Sequence, residues 1–169
     1  MNALERLLQD RDEKVANPLD IIENMATETG WEWARPGEDE LMLAFPLENA
    51  EIQISLTWME QIELLHLAAV WDFRCPEPRR EELGRLLALI NMQLPFGHFE
   101  LWPDGSVVYR NALMLTGALS VTPEQCEALI AGAVGACETF YPAMHFVIWA
   151  GRSAEEAMRD CIFETAGEA

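Results

Sequence analysis

Pro103-Asp104-Gly105 stands between two runs that alternate apolar and polar residues, 97–102 and 106–110, and this segment constrains the fold most. Proline presets φ at the first turn position, and glycine supplies the left-handed position that closes a three-residue hairpin loop with a bulge. The loop fixes the register. Phe99, Leu101, Val107 and Tyr109 then share one face, continuing toward Leu113, while His98, Glu100, Trp102 and Arg110 share the other. Turn chemistry and burial demand the same register, so each supports the other.

Period two also governs the chain upstream. Trp31 to Arg35 and Glu40 to Phe45 flank a Pro-Gly-Glu-Asp turn, and Ile52, Ile54, Leu56 and Trp58 alternate with Glu51, Gln53, Ser55 and Thr57. The run from Ile62 to Phe73 differs. Leu64, Ala68 and Val70 lie on one side of it, and Leu65, Leu67, Trp71 and Phe73 on the other. A strand wetted on one side does not carry apolar residues on both. Its second face is therefore expected to be covered by another part of the chain, a second subunit or a partner.

Helix signals surround these strands. Asn17-Pro18 caps a helix bearing Leu19, Ile22, Met25 and Ala26 at helical spacing, and Gly30 ends it. Pro76 and Pro78 open a second helix through Leu94, with Leu83, Leu86, Leu87 and Ile90 inward. Thr122 and Gln125 form a capping box for a third, with small residues at Ala128, Gly132, Gly135 and Ala136. Pro142 is expected to kink or break that helix before the apolar Met144 to Trp149 segment. Gly151 and Ser153 to Glu156 then introduce a last helix to about Phe163, with loose residues after it. Residues 1–16 read as an amphipathic segment with Leu4, Leu7, Leu8 and Val15 to one side, and 17–169 as a single domain. The order α-ββββ-α-ββ-α-α predicts an α+β fold, an antiparallel sheet with helices packed on one face.

Composition removes several functions. With 29 acidic against 11 basic side chains the formal charge is −18, which repels phosphate backbones, so nucleic acid is not an expected partner. Arg74, Arg79, Arg80 and Arg85 are interleaved with Glu77, Glu81 and Glu82, a pattern that intra-helix pairing explains. Cys75, Cys126, Cys137 and Cys161 show no Cys-x-x-Cys spacing, and Cys126 and Cys137 on one helix lie about 16 Å apart by rise, too far to bridge. Free thiols and a polar N-terminus without a secretory leader point to the cytoplasm. The apolar run from Ala128 to Cys137 is too short to span a membrane.

No catalytic set emerges. His66, His98 and His145 share no metal-ligand spacing, and no phosphate-cradling glycine loop or nucleophile elbow occurs. Glu38-Asp39-Glu40 and Glu60 with Glu63 sit near turns, where solvated loop charge explains them better than acid–base chemistry. Neither a cofactor nor a metal is assigned. A fold can still bring His66 and His98 together. Glu100 and Arg110 are diagonal neighbours on the exposed hairpin face, where a surface ion pair contributes about 0–1 kcal/mol. As an anchor for a polar partner they would have Trp102 beside them as the aromatic contact. His66, His98, Glu100, Trp102 and Arg110 are accordingly the candidate protein-binding residues.

Asn17 to Glu23 (NPLDIIE), Gly30 to Trp33, Glu81 to Asn91 (EELGRLLALIN), Gly97 to Tyr109, Phe140 to Trp149 and Ser153 to Ala157 occur in an order that resembles the YbjN-like family. The likeness runs from about Asn17 to the C-terminus and lies in that order, since none of the pieces is a chemical signature. Members are described as candidate regulators of bacterial sensory transduction with a fold like the type III secretion chaperones. The resemblance implies that fold, and the chaperone likeness implies homodimers that bind partner segments; it supplies no catalytic or ligand residues. The expected function is a non-enzymatic cytoplasmic protein-binding module, a regulator or chaperone-like protein. The competing expectation is a small-molecule sensor or enzyme with a pocket between sheet and helices, lined by His66 or Trp71. A homodimer whose doubly apolar strand is covered by its own twin is the third.

Overall fold

A computed structural model describes residues 16–116 and 120–167, so the amphipathic segment expected over 1–16 lies, apart from Ala16, outside the described residues. The elements are α1 (Pro18–Thr29), β1 (Glu32–Gly37), β2 (Glu40–Pro46), β3 (Glu51–Met59), β4 (Leu64–Arg74), α2 (Arg80–Asn91), β5 (His98–Leu101), β6 (Ser106–Met114), α3 (Pro123–Ile148) and α4 (Ala154–Gly167). Their order is the one the sequence predicts. All neighbouring strands are antiparallel, in the spatial order β1-β2-β3-β4-β6-β5. The β5–β6 hairpin returns so that β6, not β5, pairs with β4.

Local chemistry sets the element ends. The Asn17 side chain accepts from the Leu19 N–H at 3.0 Å, and Gly30 at φ 74° lets its own N–H close on the Ala26 carbonyl. Arg35 on β1 ties this helix to the sheet through Asp20 at 2.7 Å and Glu23 at 2.6 Å. In the hairpin, Gly105 at φ 89° donates to the Trp102 carbonyl and the Trp102 N–H donates to the Ser106 carbonyl, both at 2.9 Å. This is the three-residue loop read from Pro103-Asp104-Gly105, and Phe99 faces Tyr109 across it as expected.

One hydrophobic layer lies between sheet and helices. Its strand residues, among them Leu41, Leu43, Ile54, Leu56, Leu65 and Leu67, share one face by the pairing register and pack in one cluster with the inward side chains of all four helices. Each such side chain contributes about 1.5–3 kcal/mol on burial. The other face of the sheet bears no helix among the described residues.

Several expectations need correction. β4 starts at Leu64; Ile62 sits in a short 3-10 turn and is 56% exposed, because Glu63 at φ 50° turns the chain before pairing begins. α3 runs through Pro142 without a break, since Phe140, Ala143, Met144 and Val147 are buried in the core and outweigh the single backbone bond that proline removes. α2 ends at Asn91 rather than Leu94 because the Asn91 amide turns to β5, donating to the Phe99 carbonyl at 3.0 Å and accepting its N–H at 2.8 Å. α4 extends to Gly167, past Phe163, from a start at which Ser153 and Glu156 cap one another.

The arginine cluster also departs from its intra-helix reading. Arg85 does pair with Glu81 at 2.7 Å. Arg79 instead donates to the carbonyls of Val147 at the C-terminal end of α3 and of Arg152 in the connection to α4, and Arg80 donates to the Pro103 carbonyl of the hairpin loop. Arg74 pairs with Asp104 at 3.4 Å. These side chains stitch distant backbone segments together.

Candidate functional site on the open face of the sheet

The register places His66, His98, Glu100 and Arg110 on the face that no described helix covers, and Trp102 joins them through its bond to Glu100. Arg110 on β6 lies opposite Ala68 on one side and His98 on the other; Val108 lies opposite Val70 and Glu100. His66 lies opposite Thr57 and Ala112. The face is apolar in its middle, with Ala68 and Val70 half-buried, Val108 buried, and Met42 and Met114 exposed. The second apolar side of β4 is therefore present, as the sequence predicts, and no described element covers it.

Along one end of this face runs a continuous chain of hydrogen bonds. The Trp102 indole N–H donates to Glu100 Oε2 at 2.9 Å. Glu100 Oε1 meets the His98 Nε2 at 2.8 Å and accepts from Arg110 Nη1 at 3.3 Å. Arg110 Nε donates to His66 Nε2 at 3.0 Å, so that nitrogen is the acceptor and the proton of the neutral imidazole sits on Nδ1. All five predicted residues thus join in one network.

The electrostatics follow from these contacts. Hydrogen bonds from Trp102 first, and His98 second, hold the Glu100 carboxyl below the usual carboxylate range. Partial burial, then the neighbouring Arg110 charge, lowers the His66 pKa, with Glu100 opposing in part. Glu100 and Arg110 keep 30% and 39% of their side-chain surface exposed, so the pair adds little to stability.

The other candidates lie elsewhere. His145 is exposed on α3, its ring between those of Tyr141 and Trp149 at 6.1 and 4.9 Å, outside the network. His66 points away from the helices, which removes it from the expected pocket between sheet and helices; Trp71 faces inward, stacked on Phe73 and Phe99. The Glu38-Asp39-Glu40 carboxylates are exposed at the β1–β2 turn. No group of three or more His, Cys, Asp or Glu among the described residues is placed to hold a metal. The four cysteines are buried and form no disulfide among the described residues, and burial pushes the Cys126 thiol up to about 11. Among the described residues, no helix is long and apolar enough to cross a membrane.

Sequence reasoning missed the far end of the same face. There Glu32, Ala34, Met42, Ala44 and Gln53 line a shallow cavity of about 330 Å³. The alternation in β2 and β3 carried the signal, but it became legible once the pairing of β1 with β2 placed Ala34 beside Met42.

Comparison with known proteins speaks to fold and family. Residues 18–146 match the YbjN family, "Putative bacterial sensory transduction regulator". The structure is similar to that of "YbjN, a putative transcription regulator from E. coli", at 14% identity and a TM-score of 0.52, covering 71% of this chain and 85% of that one. It is also similar to the ExsC–ExsE complex (17%, 0.47, 72% and 88%) and to an uncharacterized protein from Methanothermobacter thermautotrophicus (14%, 0.48, 70% and 90%). Of these three the first speaks for the fold. No curated protein sequence matches the chain.

Proposed function

The chain belongs to the YbjN family, and from that membership we propose that it is a non-enzymatic protein-binding module, a regulator or chaperone-like protein that receives a partner on the open face of its sheet. One observation carries this reading. β4 is apolar on both sides, the helices cover one, and the other is left uncovered beside a five-residue polar network among the described residues. Burying even two or three of Ala68, Val70, Met42 and Met114 under a partner would supply several kcal/mol. The chain's net charge of −18 limits indiscriminate association and disfavours nucleic acid. Four buried cysteines without a disulfide fit a reducing cytoplasm. A second copy of the chain is the other occupant that this face admits, giving a homodimer.

Native mass spectrometry of the full chain, isolated gently from its host, tests the reading against Val70→Asp, a change on the half-buried open face. A stoichiometric second protein or a dimer that disappears with Val70→Asp, while circular dichroism stays native, is the expected result. A complex that survives this substitution would place the contact elsewhere and refute the assignment.

A further inference from the structure

The geometry points to a partner segment that carries a carboxylate, taken by the Nη2 group of Arg110 between His66 and His98, with Trp102 alongside. This rests on the docking reading above and names the chemistry of what docks.

The unmet hydrogen-bonding capacity of the face decides the sign of the partner group. Glu100 is largely engaged: Oε1 contacts two donors and Oε2 a third, from His98, Arg110 and Trp102. It is poorly placed to recruit a cation. Arg110 has five N–H donors, and the structure uses Nε on His66 and Nη1 on Glu100. The Nη2 group meets no acceptor among the described residues, and the side chain keeps 39% of its surface open. His66 adds the Nδ1–H left over when its Nε2 accepts from Arg110. The surplus is of donors.

A planar fork of guanidinium donors matches a carboxylate better than it matches a single carbonyl. Next to the fork, Ala68 and Val70 offer a flat apolar floor, and the Trp102 ring, 46% exposed, is fixed by its bond to Glu100. The segment that fits therefore places an Asp or Glu beside aliphatic side chains. A field of −18 repels acid-rich chains at long range, so the rest of that segment is neutral or basic. Glu100 acts here as a positioning residue, holding Arg110 and Trp102 in place.

A phage-displayed library of random dodecapeptides, panned on the full-length protein, provides the probe. Peptides bearing Asp or Glu next to aliphatic residues should be retained. For a retained peptide, the acid-to-amide change should weaken binding to the wild type by about tenfold, and by little to Arg110→Gln. Circular dichroism of Arg110→Gln, and a parallel Arg110→Lys variant, guard against loss of fold. Binding that Val70→Asp abolishes but the acid-to-amide change leaves intact would overturn this inference and leave the docking reading standing. Peptides indifferent to Val70→Asp and Arg110→Gln alike, or retention of none, would overturn both.

Discussion

Replacing Gly105 by alanine tests the hairpin that fixes the register of the open face. Gly105 sits at φ 89°, where an L side chain costs about 1–2 kcal/mol. The added Cβ would also stand 2.6 Å from the Cys75 carbonyl oxygen, which is backbone and cannot swing aside. Retreat is blocked in addition because the Cys75 N–H donates to the Gly105 carbonyl at 2.7 Å, so separating the two segments sacrifices that bond. Strain, clash and the weakened bond together set a loss of about 3 kcal/mol, a large part of a stability of order 5–15 kcal/mol. Gly135→Ala is the internal control. It lies within α3, a Cβ there meets nothing within 4 Å, and the substitution should stabilise by about 0.5–1 kcal/mol. Urea unfolding read at constant slope should therefore move the midpoint down for Gly105→Ala and up for Gly135→Ala. A loss below about 1 kcal/mol for Gly105→Ala would show that the loop yields, and that its left-handed glycine does not pin the pairing.

The His66 pKa is lowered in the folded state, by burial first and by Arg110 second, so the unfolded chain binds the proton more tightly. Stability should be full above the unfolded value of about 6.5 and decline as pH falls through the lowered folded value; the decline should shrink in His66→Asn, as urea midpoints at a series of pH values will show. Arg79→Ala removes two donors from the carbonyls of Val147 and Arg152 and should cost about 1–3 kcal/mol, with unfolding midpoints as the measure. All four thiols are buried, so a water-soluble disulfide reagent at pH 8 should label them on unfolding and leave the native chain unmodified; prompt native labelling would contradict the packing.

What the sequence disclosed and what it withheld divide along contact range. The hairpin register was legible because Pro103-Asp104-Gly105 and the alternation beside it are adjacent in the chain, and with it came the shared face of His98, Glu100, Trp102 and Arg110. The two-sided apolar pattern of β4 was equally plain. That His66 meets Arg110 follows from β4 pairing with β6 across 44 residues, which no local pattern encodes. Arg79 carries no signature of its carbonyl targets 68 and 73 residues away, and its neighbouring glutamates suggested a nearer partner. At Pro142 the expected break does not occur, because the side chains on either side are buried.

The Asn91 side chain has a further consequence. By donating to the carbonyl of Phe99 and accepting its N–H, the amide stands in for the next strand at the outer edge of β5, where those two groups would otherwise template the backbone of another chain. At the opposite edge β1 carries Pro36, which has no N–H to offer, and its register shifts between Ala34 and Gly37. Both margins thus resist sheet-to-sheet growth, the usual route from an uncovered apolar sheet to fibrous aggregates. On the proposed docking reading, a partner therefore meets the described sheet through its face and not through its margins.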